Sequence, residues 1–205
     1  MGTGREVDRR PQYSEAETDV KKAFRTGERI FLRPLEVEDA PLLQVWLNDP
    51  ENHQYLARFR PISGPEERRW LETLHERTED HVFGVALRDG ERLIGTCGLH
   101  GAALPNRRAQ LGIAIGVAEF QGKGYGAEAI RLLLRYGFET LNLHRVGLDV
   151  YENNARGIRC YEKVGFRREG TRREARWWGG RWWDVHDYGI LEQEWKDSLP
   201  RNAAN

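Results

Sequence analysis

Residues Leu111 to Phe138, LGIAIGVAEFQGKGYGAEAIRLLLRYGF, constrain the fold most, because three kinds of local structure follow one another without a break. Leu111 to Val117 is a short apolar run with Gly116 near its end and polar residues on both sides, which reads as a buried strand. Gln121-Gly122-Lys123-Gly124-Tyr125-Gly126 then places glycines at alternate positions. Ala127, Ile130, Leu133, Leu134, Phe138 and Leu141 recur at helical spacing and predict a helix with one apolar stripe. A strand, a glycine-rich turn and a helix N-terminus together form an anion site. Glycines let backbone N–H groups turn inward, the helix dipole adds partial positive charge, and Lys123 adds a full one.

Three anion-binding patterns compete for this loop. A Walker loop needs four residues between its first glycine and Gly-Lys, followed by Ser or Thr. Five residues separate Gly116 from Gly122, and Gly124 follows Lys123, so that pattern fails twice. Gly122, Gly124 and Ala127 fit the dinucleotide pattern G-x-G-x-x-A, with Asp149 near the end of the next strand-like run. Only one full strand-helix-strand unit follows, however, and a nucleotide-binding half needs more. Gln121, Gly124 and Gly126 fit Q-x-x-G-x-G, the pattern of a coenzyme A pyrophosphate loop.

The remaining chain predicts a single mixed α/β domain without internal repeats. Arg29–Leu35 alternates as a first strand, and Leu42, Leu43, Trp46 and Leu47 mark a helix over Glu38–Leu47. Ser63 and Glu66 resemble a capping box, with Pro65 in the first turn of a helix reaching about Thr78. Val82–Arg88 and Arg92–Leu99 flank an Asp89-Gly90 turn as a hairpin. After the central helix come a strand over Arg145–Val150, a helix capped by Asn153 or Asn154 and stopped at Gly165, and a closing hairpin, Phe166–Trp178 and Arg181–Leu191, around Gly179-Gly180. Residues 1–27 read as a flexible arm with a helix around Glu15–Phe24, 28–197 as the folded domain, and 198–205 as a C-terminal tail.

Composition narrows the class. The chain has 205 residues with a formal net charge of zero, 31% charged and 39% hydrophobic. That describes a polar-surfaced globular domain and argues against a general nucleic-acid or membrane-surface binder. There is no run of about 18 apolar residues to span a membrane. The first ten residues, MGTGREVDRR, lack a signal core, and Glu6 stands where myristoylation wants Ser or Thr, so a cytoplasmic protein is expected. Cys97 and Cys160 offer neither a disulfide framework nor metal-ligand spacing, so no metal is expected.

The segment Asn154-Ala-Arg-Gly-Ile-Arg-Cys-Tyr161-Glu-Lys-Val-Gly165-Phe166 follows the glycine loop by one helix and one strand. It closely resembles the N-x-x-A/S-x-x-x-Y-E-K-x-G-F segment of GNAT-superfamily N-acetyltransferases. Arg33-Pro34-Leu35, Asp39-Ala40, Trp46-Leu47-Asn48-Asp49-Pro50 and Trp70-Leu71 are similar to the branch that acetylates N-terminal amines of ribosomal proteins, which also contains small-amine acetyltransferases. The resemblance covers about 29–195. It implies the GNAT fold: a mixed, mostly antiparallel sheet splayed between its fourth and fifth strands, with helices on both faces. It implies acetyl-CoA as donor and direct attack of a primary amine, from a small molecule or a peptide, on the thioester. Backbone groups near Ile115, Gly116 and Val117 would bind the pantetheine, one N–H there acting as an oxyanion donor worth about 3 kcal/mol. The N–H groups from Gln121 through Gly122, Lys123, Gly124 and Tyr125 to Gly126 would hold the pyrophosphate. Asn154 would bind the pantetheine arm and Tyr161 would protonate the leaving thiolate.

Each role has a plainer structural counterpart. Tyr161 alone fits a packing tyrosine on an amphipathic helix, Asn154 a helix cap, and Lys123 a solvated turn residue. The base is open: many relatives carry Glu on the central strand, whereas Ala109 and Gln110 here cannot take a proton. His100, Asp184, His186 and a water chain are the substitutes. Neither cysteine has the neighbourhood of an activated nucleophile. The hairpin residues Trp177, Trp178, Trp182 and Trp183, interleaved with arginines, read as cross-strand packing, with an acceptor wall or homodimer contact as further uses. Two other classes remain, a non-catalytic acyl-CoA-binding module of the same fold and a dinucleotide-dependent oxidoreductase.

Overall fold

The computed structural model describes residues 23–103 and 105–199. Eight strands form one sheet: β1 (Arg25–Thr26), β2 (Ile30–Arg33), β3 (His81–Leu87), β4 (Leu93–Ala103), β5 (Arg108–Ile115), β6 (Arg145–Tyr151), β7 (Arg167–Trp178) and β8 (Arg181–Leu191), in the order β1-β2-β3-β4-β5-β6-β8-β7. Every neighbouring pair is antiparallel except β5–β6. That one parallel step requires a crossover, which the central helix supplies. The strand after the glycine loop is thus the sixth, because β1 precedes the predicted first strand.

Sequence-local chemistry explains the helices. In α1 (Ala40–Asn48) Pro41 occupies the first turn, where a missing N–H costs nothing. A short turn, α2 (Pro50–His53), follows, its start capped by the Asp49 carboxylate. In α3 (Gly64–Glu72) Ser63 accepts from Glu66 N at 3.3 Å. The central helix α4 (Tyr125–Arg135) runs into one wider turn over Tyr136–Thr140. In α5 (Ala155–Val164) Asn154 accepts from Gly157 N at 2.8 Å, and Gly165 ends the helix at φ 113°. The last helix is α6 (Glu192–Ser198).

Two hydrophobic clusters lie on opposite sheet faces. One joins α4, α5 and Trp195 of α6 to Ile94 and Leu99 of β4. The other joins Ala40, Leu43 and Trp46 of α1 and Leu71 of α3 to Leu93. Leu93 and Ile94 are consecutive, and successive strand residues point to opposite faces.

Several boundaries differ from those expected. The sheet begins at Arg25, inside the segment read as an arm, where Phe24 stacks on Phe83 with ring centroids 4.9 Å apart. The expected arm helix falls almost entirely outside the described residues. The central strand starts three residues earlier than predicted and ends at Ile115, leaving Gly116 and Val117 beyond it. The third helix stops at Glu72 and continues only as a 3-10 turn over Leu74–Glu76. The closing hairpin turns at Gly179 (φ 61°) and Gly180 (φ 79°), the two positive angles a tight hairpin needs. Its β7 strand bulges between Arg172 and Arg176, where Glu174 takes φ 50°. Among the described residues no helix is long and apolar enough to cross a membrane.

Candidate active site

β5 and β6 pair at three positions, Arg108–Arg145, Ala109–Val146 and Gln110–Gly147. Beyond Gln110 they part, β5 following β4 to Ile115 and β6 following β8 to Tyr151. The wedge opens into a cavity of about 480 Å³ whose walls include Ile113, Ile115, Val150, Tyr151, the glycine loop, α5 and residues 55–57.

Backbone direction decides which strand groups enter the wedge. Gly116 N–H donates to Ile94 O at 2.9 Å, and Val117 N–H reaches the same oxygen at 3.4 Å. Backbone groups of successive residues face opposite edges of a strand, so Ile115, opposite Gly95, presents its amide to the gap. Its carbonyl already accepts from Gln121 Nε2 at 2.7 Å. The Ile115 N–H is left as the donor at the open end of the wedge.

At the loop, Gly122 (φ 73°) and Gly124 (φ 89°) adopt left-handed angles that favour glycine. The N–H groups of residues 122–127 have no protein acceptor among the described residues. Free amides at a helix N-terminus form an anion cradle. Arg29 holds the loop from behind, donating from Nη1 to Lys123 O at 3.0 Å and from Nε to Glu128 Oε2 at 3.0 Å, with its guanidinium 4.4 Å from the Tyr125 ring. Gln121 ties the front. Its Nε2 also donates to Asn52 Oδ1 at 2.9 Å, its Oε1 accepts from Arg156 Nη1 at 2.6 Å, and Asn52 Nδ2 donates to Gly116 O at 3.0 Å.

Of the residues expected at the site, Ile115, Gln121, Gly122, Gly124, Gly126, Asn154 and Tyr161 line the cavity. Gly116, Val117, Lys123 and Tyr125 do not. A Cβ at Gly116 would overlap the Trp46 indole, so the absence of a side chain here serves close packing with α1. Val117 packs on the cluster around Trp46, and Tyr125 sits against Phe120 and under Arg29. Lys123 is exposed.

Tyr161 is 9% exposed, and desolvation raises its phenol well above the ordinary range. Among the described residues no group bonds its hydroxyl. Asn154 both caps α5 and faces the cavity. None of the suggested bases does: His100 lies 3.4 Å from Asp80, Asp184 accepts from Glu174 N at 2.9 Å, and buried His186 contacts Arg168 at 2.8 Å. Burial pushes the Cys97 thiol up to about 12 and also raises Cys160, which lines the cavity. Both shifts disfavour the thiolate form.

The wall contains groups not singled out from the sequence. Arg156, Arg159 and Lys163 of α5 face the cavity as a cationic stripe. Their i, i+3, i+7 spacing was a readable signal for a shared helix face. Tyr55, Leu56 and Ala57 form another wall. The four hairpin tryptophans stay out of the lining. Trp177 and Trp182 point outward at 51% and 54% exposure and meet edge-on, with ring centroids 5.2 Å apart.

A mostly antiparallel sheet that opens at its one parallel step, beside a glycine loop on a helix N-terminus, defines an acyl-CoA-dependent acetyltransferase architecture. The chain belongs to the GNAT acetyltransferase family, whose domain model matches residues 29–167. It is an N-acetyltransferase, and the family uses acetyl-CoA. An uncharacterized N-acetyltransferase, p20, from Bacillus licheniformis is 31% identical over 82% of this chain and 96% of its own. A Bacillus subtilis protein, named provisionally for ribosomal N-acetylation, is 31% identical over 84% of this chain and 96% of its own. The crystal structure of spermidine N-acetyltransferase from Vibrio cholerae, in complex with CoA and spermine, superposes with a TM-score of 0.75 at 30% identity, covering 82% of this chain and 98% of that one. These names point to different acceptors, so the ribosomal-protein branch is not singled out.

Proposed function

We propose that this enzyme transfers the acetyl group of acetyl-CoA to the primary amine of a small molecule by direct attack. The observation that carries this reading is the parting of β5 and β6 after Gln110, with Tyr161 and the Ile115 amide in the resulting wedge. The free amides of residues 122–127 hold the diphosphate, and Arg156, Arg159 and Lys163 supply its counter-charge. The Asn154 amide contacts the pantetheine arm. The amine nitrogen attacks the thioester carbon, and its oxygen gathers charge toward the Ile115 N–H. The carbon–sulfur bond then breaks, the thiolate takes the Tyr161 proton, and solvent returns a proton to the phenolate before the next turnover. The amine sheds its proton to solvent, since no suggested base lines the cavity.

Arg159→Glu reverses one charge of the stripe, and KM for acetyl-CoA is expected to rise roughly tenfold at low salt, with kcat nearly unchanged. Exposed charges are screened, so the ratio to wild type should shrink as salt is added. A salt-independent KM equal to wild type would remove the stripe from donor binding. Cys160→Ser should keep wild-type turnover, because no acyl-enzyme forms. Loss of turnover in this variant, with acetylated Cys160 in mass spectra of the wild type, would replace direct attack.

A further inference from the structure

Arg176 of β7 is a guanidinium at 3% exposure with no carboxylate partner among the described residues. It stands one layer behind the cavity wall. Nη1 donates to Leu56 O at 2.9 Å and Nη2 to Gln54 O at 2.9 Å, while its carbon lies 3.7 Å from the Tyr151 ring centroid and 5.3 Å from that of Trp178. Leu56 and Tyr151 both line the cavity. Nε is buried with no partner among the described residues, as is Nε2 of His53, whose ring lies 5.4 Å from Trp178. Buried cations are ordinarily paired, because leaving water is costly for an uncompensated charge.

The acids described nearby are engaged elsewhere or face another pocket. Asp149 is the one carboxylate among the described lining residues, and it is engaged by Arg172, which Asp187 also contacts at 2.9 Å. Asp184 accepts from Glu174 N, and Glu152 accepts from Asp184 N at 3.4 Å. Buried Glu67 faces a separate pocket with Arg58 and Arg69. A polyamine that presents one neutral amine to the thioester still carries further ammonium groups, each needing an anion. The wall of Tyr55, Leu56, Ala57, Ile113 and Tyr151 offers apolar and aromatic surface instead.

We propose that Arg176 is a specificity-determining positioning residue. It clamps the 54–57 segment against the hairpin, and its charge, which no described carboxylate pairs, makes the cleft select monoamines with an uncharged, largely apolar remainder over polyamines. This rests on the acetyl transfer proposed above and names its acceptor class.

The test uses the full chain, acetyl-CoA, 2-phenylethylamine as the apolar monoamine and spermidine as the polycation. CoA binding is measured first by calorimetry. Acceptor selectivity is then read as the ratio of kcat/KM values from thiol release. Where turnover is slow, the same ratio is read from amine binding to the CoA complex. The wild type should favour 2-phenylethylamine by about tenfold or more, the scale of one poorly screened charge pair. Arg176→Met should shrink that preference about tenfold with KM for acetyl-CoA unchanged, and Arg176→Lys, which keeps the charge, should retain it. A purely structural role would lower both amines equally. Wild-type preference for spermidine, or an unchanged ratio in folded Arg176→Met, overturns the proposal. If Arg176→Met does not fold, loss of the preference in Arg176→Lys does so. Failure of CoA to bind overturns the acetyltransferase reading, and this proposal with it.

Discussion

Tyr161→Phe should lower kcat by about 10²–10⁴-fold, the usual worth of a positioned general acid, while leaving KM for acetyl-CoA near its wild-type value. The ring would stay where it is. It packs in the main core and meets Phe166 edge-on with centroids 6.1 Å apart, and none of that needs the oxygen. No described group bonds the hydroxyl, so its removal orphans no partner and thermal stability should hold. Desolvation is the leading cause that raises this phenol, by disfavouring phenolate. The sign matters for the pH profile. A raised value keeps the proton on Tyr161 throughout the assay range, so the acid remains available as pH rises. The rate should climb with pH as the acceptor amine loses its proton, and an alkaline decline below about pH 10 cannot come from this tyrosine. The variant should show the same rising limb at a much reduced height. Wild-type turnover in Tyr161→Phe would remove the residue from the chemistry and leave it a packing side chain.

The fold was largely legible because local signals agreed with one another. The glycine loop, the Asn154 cap, the Gly165 stop and the Gly179-Gly180 turn all act through backbone angles and side chains close in sequence. The loop's supports were not legible. Arg29 and Asn52 reach Lys123 and Gln121 only through tertiary structure, so no spacing announces them. Gly116 carries a packing constraint that the sequence does not announce: a lone glycine does not say which atom needs the space, and here it is the Trp46 ring. The hairpin shows a further limit. Alternation separates Arg176 and Trp178 from Trp177 but does not say which set faces inward. Hydrophobicity alone would bury Trp177. The carbonyls of Gln54 and Leu56 instead draw Arg176 in, which turns Trp177 and Trp182 to solvent. The cations of α5 were readable from spacing alone.

Gly116→Ala should cost both stability and activity, because one methyl group is asked to share space with an indole. Trp46 is 9% exposed and wedged among Ala40, Leu43 and Leu71, so it has little room to retreat. The strand end is equally pinned, with Gly116 N–H on Ile94 O and Gly116 O on Asn52 Nδ2. Overpacking of this kind costs about 1–3 kcal/mol. For a chain of this size each kcal/mol lowers Tm by roughly 2–4 °C, so a fall of several degrees is expected in a thermal melt. The displacement would pass directly to Ile115, whose amide is the proposed oxyanion donor. A misplacement of about 1 Å there can cost about 10²-fold in rate. Trp46→Leu provides the control. It destabilises on its own by removing core volume, but in that background Gly116→Ala should cost much less than in the wild type, since the colliding ring is gone. Equal costs in the two backgrounds would mean that the methyl group meets something other than Trp46, and the account of this glycine would fail.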